Sequence, residues 1–180
     1  MVSKTNRSTF SQEKTDFRVR ELRFPDDSKL VSEIAERTAG FTKLSPYVIW
    51  MMVETQGPIC RVAIDQRGSL CGYVLAFRTS NPGEAFVWQL GVQKDTLAIV
   101  ISIASALVRS LGEVAESNNI STFKFTAQPK RMRTLLKRIF SKLGLRPEPT
   151  NKLFEFATGS LEAESEFLIK AVRPHKLYGK

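Results

Sequence analysis

The residues best suited to chemistry in this chain are a run of bases with no acidic residue among them. Between Asn119 and Pro147 there are eight bases: Lys124, Lys130, Arg131, Arg133, Lys137, Arg138, Lys142 and Arg146. This window holds nearly all of the formal net charge of +9, an excess that favours an anionic partner. The pattern fits a solvated helix face, a site for a phosphate-bearing cofactor or a nucleic-acid surface. Few aromatic residues accompany the bases and no nucleic-acid-binding motif is found, so nucleic acid is the least favoured partner.

Cysteine and histidine do not suggest a metal site. Cys60 and Cys71 stand in apolar runs without metal-ligand spacing, and the one histidine, His175, lies in a polar stretch. Because structural zinc sites need four clustered ligands, we expect no metal. Buried, reduced thiols fit a cytoplasmic location.

Hydrophobic periodicity predicts strands alternating with helices. Strands are predicted at Phe17–Arg23, Ile59–Asp65, Leu70–Arg78, Ala85–Val92, Ile120–Thr126, Leu153–Ala157 and Phe167–Val172. Helices are predicted after Pro25, from Ser45-Pro46 to Thr55, over Leu97–Glu116 and over Met132–Leu143. The helix between the fourth and fifth strands implies a parallel crossover within a mostly antiparallel sheet. The expected fold class is therefore α/β (α+β), with a mixed central sheet flanked by helices.

Length and composition fit one domain. A chain of 180 residues that is 42% hydrophobic and 25% charged can bury an ordinary core. Residues 1–15 are polar and lack periodicity, so we expect a disordered tail ahead of a single domain over residues 16–180. The N-terminus lacks the apolar segment of a signal peptide. Leu97–Val108 is shorter than the roughly 20 residues that a membrane span needs, so no membrane partner is expected.

Local motifs carry a family resemblance over about Phe17–Pro149. They are Leu44-Ser45-Pro46-Tyr47 followed by Met51-Met52, Cys71-Gly72-Tyr73-Val74, Phe86-Val87-Trp88-Gln89-Leu90-Gly91-Val92, and Thr126 with Pro129. Together with the element order, they resemble the Gcn5-related N-acetyltransferases. Within that superfamily they are most similar to the diaminobutyrate acetyltransferases of ectoine biosynthesis.

The resemblance implies the acyl-CoA N-acyltransferase fold and an acetyl-CoA-dependent N-acetyltransferase. The acceptor would be the amine of a small amino acid such as 2,4-diaminobutyrate, and homodimers are common in the subfamily. The fourth strand would splay from the fifth, so that backbone groups of Leu90, Gly91 and Val92 hold the thioester and polarise its carbonyl. The residues implied for acceptor binding are Ser45, Tyr47, Trp88 and Thr126. Those implied for further cofactor contacts are Lys94, Lys130 and Arg131.

The sequence also predicts roles for individual residues in and near this strand. Gly91 permits close approach of a ligand or marks a bulge. Gln89 is expected to project to the face opposite Trp88, because side chains alternate along a strand, and to make a structural hydrogen bond. Glu84 and Glu54 are the nearest carboxylates that could take up an amine proton, and each also fits a solvated surface acid.

The chain departs from the family pattern where the cofactor pyrophosphate should bind. Gln93–Ser102 contains no glycine, so the Arg-x-x-Gly-x-Ala cradle falls on Leu97, Val100 and Ser102. Thr42-Lys43-Leu44 replaces Asp-Leu-Asn, and no tyrosine lies between Lys130 and Leu143. Drift or a change of reading frame over residues 93–116 would produce such a segment. A catalytically degenerate binding or scaffold protein is therefore the alternative function, and a nucleic-acid module using Lys130–Arg146 is a third.

Overall fold

In the computed structural model, the described residues are 17–38, 41, 43–93, 96–127, 132–154 and 164–170. The predicted tail at residues 1–15 lies outside this part of the chain. So do Lys94, Lys130 and Arg131, whose predicted contacts with the cofactor stay predictions.

A seven-stranded sheet forms the centre of the fold. In chain order the elements are β1 (Phe17–Glu21), α1 (Ser28–Arg37), α2 (Pro46–Gln56), β2 (Arg61–Asp65), β3 (Leu70–Arg78), β4 (Glu84–Val92), α3 (Leu97–Ala115), β5 (Thr122–Ala127), α4 (Lys137–Lys142, after a π-helical turn at Met132–Leu136), β6 (Glu148–Phe154) and β7 (Glu164–Lys170). The strand order is β1-β2-β3-β4-β5-β7-β6. Only β4 and β5 pair in parallel among the described strands. The predicted element order, parallel crossover and fold class are confirmed.

Local sequence explains where the helices begin and end. Ser45 caps α2, because its hydroxyl accepts a hydrogen bond from the backbone N–H of Val48 at 3.3 Å, and Pro46 occupies the first helical position. Gly144 follows the end of α4, and its φ of 66° is the left-handed conformation that glycine tolerates. The backbone N–H of Leu145 then donates to the Phe140 carbonyl at 2.9 Å, which closes the helix end.

The two faces of the sheet are covered by different helices. Buried residues of α1 and α2, including Ile34, Ile49 and Met52, form one core cluster with Tyr73 of β3. On the other face, α3 and α4 pack through two clusters that contain Ile103, Leu107, Leu111, Ala104, Ile139 and Phe140. We call these the α1–α2 face and the α3–α4 face.

Helix α3 is long and apolar because it lies against the sheet. The segment Leu97–Asn118 is long enough to span a membrane. It contains an 18-residue window with a mean hydropathy of 1.8, and 33% of that window is buried inside the protein. The core positions Ile103, Leu107, Leu111 and Ala115 recur every four residues, as expected for a helix that buries one face. This regular pattern is that of a core helix.

The two last strands begin earlier than predicted. β6 spans Glu148–Phe154 rather than Leu153–Ala157, and β7 spans Glu164–Lys170 rather than Phe167–Val172. Pro149 lies inside β6, opposite Phe167. β6 is an edge strand, where a proline costs no ladder hydrogen bond if its nitrogen faces outward. Pairing with β7 therefore outweighs the turn signal of the Pro-Glu-Pro sequence.

Candidate active site at the open end of the β4–β5 pair

β4 and β5 pair along only part of their length. The parallel register runs from Glu84 opposite Thr122 to Val87 opposite Phe125. Beyond that point β4 stays paired with β3 as far as Val92, opposite Gly72. We call the region after Val87 the open end of the pair and the region around Glu84 the closed end.

Two backbone N–H groups of β4 face the open end. The N–H of Gln93 donates to the Cys71 carbonyl at 2.9 Å, so these opposed residues form a hydrogen-bonded pair. Hydrogen-bonded and non-hydrogen-bonded pairs alternate in an antiparallel ladder. Gly91 therefore points its N–H toward β3, whereas Leu90 and Val92 point theirs toward the opening. Of the three residues predicted to contact a thioester through the backbone, Leu90 and Val92 have donors directed there.

A β-bulge changes the direction of the side chains before this point. Leu75 lies opposite Gln89 and Ala76 opposite Val87, so Trp88 is the extra residue on β4. Trp88 packs against the core cluster of the α1–α2 face. Gln89 lies on the same face, since it accepts a 2.9 Å hydrogen bond from the hydroxyl of Tyr73, a residue of that cluster. The structural hydrogen bond predicted for Gln89 is confirmed, but its predicted orientation opposite Trp88 is wrong because the bulge interrupts the alternation.

The absence of a side chain at Gly91 is explained by packing. A Cβ atom there would lie 2.5 Å from Tyr73 Cε1, 2.9 Å from Tyr73 Cζ and 3.1 Å from Ile34 Cγ2. The Tyr73 ring is fully buried, and burial raises the pKa of its hydroxyl. Gly91 therefore makes room for an aromatic ring of β3 on the α1–α2 face.

A buried carboxylate near the open end was not predicted. Glu166 of β7 is only 5% exposed, and its Oε1 accepts a hydrogen bond from the Thr150 hydroxyl at 2.8 Å. It lies directly opposite Thr126 of β5, the first residue beyond the last β4–β5 pair. Opposed residues share a face of the sheet. Phe125 and Ala127 lie on the α3–α4 face, so Thr126 and Glu166 project to the face that carries Trp88.

Sequence reasoning missed Glu166 because the last strand was predicted to begin at Phe167. The sequence did contain a signal, because the strand-like alternation of side chains extends upstream of Phe167 through Glu166 to Ser165.

Glu84 is placed at the closed end. Its Oε2 lies 2.7 Å from Lys124 Nζ, and its Oε1 accepts from Thr79 Oγ1 at 2.8 Å and from Asn81 Nδ2 at 3.2 Å. Desolvation by itself would raise the pKa of Glu84, but the hydrogen bonds from these three residues and the charge of Lys124 lower it below its ordinary value. Six residues of strand, about 20 Å, separate Glu84 from Leu90. The structure therefore does not bring Glu84 to the open end.

The predicted residues of α2 lie at its first turn. Ser45 serves as the helix cap, and Tyr47 is 67% exposed with its ring centroid 5.6 Å from that of Trp50. The helix packs through Ile49 and Met52 into the cluster that Trp88 contacts. Ser45 and Tyr47 are thus on the face that carries Trp88 and Glu166.

The start of α3 tests whether a phosphate-bearing cofactor fits. Thr96, Leu97 and Ala98 are exposed, and the first N–H groups of a helix have no partner inside it. The bulky side chains of Ile99 and Ile101 pack into the two clusters of the α3–α4 face. The first turn of α3 therefore presents open backbone donors next to the open end of β4, an arrangement that fits a pyrophosphate even without glycine.

Solved structures with similar folds belong to acetyltransferases. Ard1 from Thermoplasma volcanium aligns with a TM-score of 0.68 at 15% identity, covering 87% of this chain and 99% of that one. Diaminobutyrate acetyltransferase EctA from Paenibacillus lautus, in complex with L-2,4-diaminobutyric acid and coenzyme A, aligns at 0.66 and 21% identity, covering 92% and 98%. Aminoglycoside 6'-N-acetyltransferase from Enterococcus faecium aligns at 0.66 and 14% identity, covering 86% and 97%.

No family model and no curated protein sequence matches the chain. The structural likeness establishes the acyl-CoA N-acyltransferase fold, the fold of the GNAT acetyltransferases.

Proposed function

We propose that the chain is an acetyl-CoA-dependent N-acetyltransferase whose acceptor is the amine of a small amino acid. The observation that carries the proposal is the open end of the β4–β5 pair, where pairing between the described residues stops at Val87 and the N–H groups of Leu90 and Val92 point away from β3. Fixed main-chain donors of this kind stabilise negative charge on a carbonyl oxygen without needing any particular side chain. Several of the similar folds are acetyltransferases, and two were solved with coenzyme A.

The donor side of the mechanism uses backbone groups. Acetyl-CoA supplies the acetyl group as a thioester, and the overall transfer forms a C–N bond, breaks the C–S bond and leaves the thiol with a proton from the amine. Leu90 and Val92 would orient the thioester along β4 and donate to its carbonyl oxygen. The exposed first turn of α3 would bind the pyrophosphate through its N–H groups and the positive end of the helix dipole.

The acceptor side uses the α1–α2 face. Trp88 and Tyr47 would contact the acceptor's carbon chain, and Thr126 would donate or accept a hydrogen bond. Glu166 would hold the acceptor's ammonium group through a charge-assisted hydrogen bond. This assignment gives Glu166 the role of the aspartate that Thr42 replaces in the family's sequence pattern. It makes a diamino acid such as 2,4-diaminobutyrate the first acceptor to test.

The test begins with calorimetry of the full chain against acetyl-CoA, followed by initial rates with diamino acids and with monoamino acids of the same length. We expect saturable acetyl-CoA binding and turnover that is faster with the diamino acids. Trp88→Ala should raise the acceptor KM by a larger factor than it changes the acetyl-CoA Kd. An absence of acetyl-CoA binding by a well-folded sample would exclude the transferase.

A degenerate binding or scaffold protein is the second candidate. The observation in its favour is the glycine-free first turn of α3, with Leu97 52% exposed where the cofactor would lie. That protein would keep the fold but show no heat of binding with acetyl-CoA or coenzyme A.

A cytoplasmic location and a homodimer belong to the same proposal. Cys60 and Cys71 are buried free thiols, and burial raises the pKa of Cys60 to about 11, so that thiol stays protonated. Sedimentation of the purified chain tests the dimer.

A further inference from the structure

Helix α4 and the turn before it present a basic stripe to solvent. Thr134, Lys137, Arg138, Ser141 and Lys142 line one shallow depression, and all five are exposed. They recur three or four residues apart, which is the spacing of neighbours on one helix face. The other face of α4 carries Ile139 and Phe140 into the core.

The cations of this stripe lack acidic partners within the described part of the chain. There, the ion pairs shorter than 4.0 Å join Arg20 to Asp27, Lys43 to Glu36 and Lys124 to Glu84. None of them involves Lys137, Arg138, Lys142 or the exposed Arg146. The positive charge of α4 is therefore not neutralised by the neighbouring elements that the structure describes.

A second depression adjoins the stripe and has a different character. It is lined by Lys137, Phe140, Ser141, Gly144, Leu145, Arg146 and Pro147. Leu145 and Pro147 are half-buried, and Lys137 and Arg146 are exposed beside them. Because Lys137 and Ser141 line both depressions, the two form one continuous surface with a basic stripe and an apolar flank.

We propose that this surface docks an acidic amphipathic helix of a partner protein. Glutamates and aspartates of such a helix would meet Lys137, Arg138 and Lys142, while its apolar side chains would cover Leu145 and Pro147. Nucleic acid fits less well, because phosphate contacts need no apolar flank and no exposed aromatic ring lines either depression for base stacking.

The position of the surface keeps it apart from the acceptor. α4 covers the α3–α4 face, whereas Trp88 and Glu166 project to the other face of the sheet. A partner docked on α4 would leave the acceptor side of the open end uncovered. The inference therefore stands independently of the proposed enzymatic activity.

The test measures binding of a labelled synthetic peptide to the full chain by fluorescence anisotropy. The peptide has about 20 residues, with leucine every three to four positions and glutamate filling most others, so that it forms an amphipathic helix. A scrambled peptide of the same composition, which has no apolar stripe, and a single-stranded DNA oligonucleotide are compared with it. The variant reverses the stripe with Lys137→Glu, Arg138→Glu and Lys142→Glu. The matched control reverses three exposed bases elsewhere, Lys29→Glu, Arg67→Glu and Arg109→Glu, for the same change in net charge.

We expect the amphipathic peptide to bind more tightly than the scrambled peptide or the oligonucleotide. Stripe reversal should weaken its binding about tenfold or more, whereas the control should change it by less than about threefold, a difference larger than net charge alone produces. Equal binding of the scrambled peptide, tighter binding of the oligonucleotide, equal loss in the control, or no binding of the peptide would each overturn the proposal. A matching loss of acetyl-CoA affinity in the stripe variant would also overturn it, because the bases would then belong to the cofactor site.

Discussion

At its closed end the β4–β5 pair is joined by a parallel ladder and by the ion pair between Glu84 and Lys124, whereas at its open end the ladder stops and backbone donors of β4 point away from β3. At the closed end, Glu84 is bound by Lys124, Thr79 and Asn81, and the strands support the fold. At the open end, the backbone N–H groups of Leu90 and Val92 point away from β3. Glu166 lies opposite Thr126 on the neighbouring strands. A single strand can therefore be structural at its start and available for chemistry at its end. The change occurs where its neighbour diverges.

The bulge at Trp88 marks the boundary between the two ends. It places Trp88 and Gln89 together on the α1–α2 face, so the acceptor face has both an aromatic surface and a buried polar network with Tyr73. Substitutions at each end separate the structural part of β4 from the part available for chemistry.

Gly91→Ala should produce the largest effect. The new methyl group would lie 2.5 Å from the buried Tyr73 ring, and we expect the free energy of unfolding to fall by about 3 kcal/mol. Gly112→Ala is the matched control, because no atom lies within 4 Å of its new methyl group and alanine favours helix α3. Urea denaturation of both variants measures the difference. Equal stability of the two variants would mean that Gly91 is not constrained by packing.

Glu166→Gln tests the carboxylate at the open end. Glutamine keeps the shape but loses the charge, so kcat/KM for a cationic acceptor should fall about 30-fold, which is about 2 kcal/mol. The acetyl-CoA Kd should change by less than about twofold. Steady-state kinetics and calorimetry measure the two quantities, with Glu113→Gln, an exposed glutamate of α3, as the control. A variant with unchanged acceptor kinetics would remove Glu166 from the site.

Glu84→Gln tests the closed end, where we expect a loss of stability of about 1–2 kcal/mol at neutral pH with little change in activity. The folded-state pKa of Glu84 is lowered. Its contribution is therefore present above the unfolded-state pKa and is lost as the pH falls through the folded-state value. The stability difference between wild type and variant should accordingly shrink below about pH 4. Chemical denaturation at several pH values measures it, and a difference that does not depend on pH would contradict the ion-pair account.

Tyr73→Phe should give the smallest of the four effects. It removes the hydroxyl that donates to Gln89 at 2.9 Å, and losing one donor to a buried amide costs about 1 kcal/mol. The aromatic ring that packs over Gly91 remains. Thermal unfolding measures the change, and an increase in stability would show that the Tyr73–Gln89 hydrogen bond is not favourable.

Sequence reasoning succeeded where local pattern decides structure. The limits of β3 were predicted to the residue, and Ser45-Pro46 located the start of α2, because hairpin turns and helix caps are encoded within a few residues. The parallel crossover followed from the predicted helix between the fourth and fifth strands.

It failed where pairing between distant segments decides. The bulge at Trp88 depends on the register between β3 and β4, and Glu166 enters the site only because β7 begins upstream of the predicted strand. Glu84 was selected for its nearness to Trp88 in the sequence. Along an extended strand, however, the distance between two residues grows by about 3.3 Å for each residue between them. None of these placements is visible in a local pattern.

The central claim is that backbone N–H groups at the end of β4 bind acetyl-CoA. An NMR titration of uniformly nitrogen-15-labelled protein with acetyl-CoA tests it most directly, by following the backbone amide resonances of β4. The account predicts saturable shifts that are largest at Leu90 and Val92, small at Gly91 and negligible at Glu84. Saturable binding that leaves Leu90 and Val92 unmoved, or no binding at all, would contradict it.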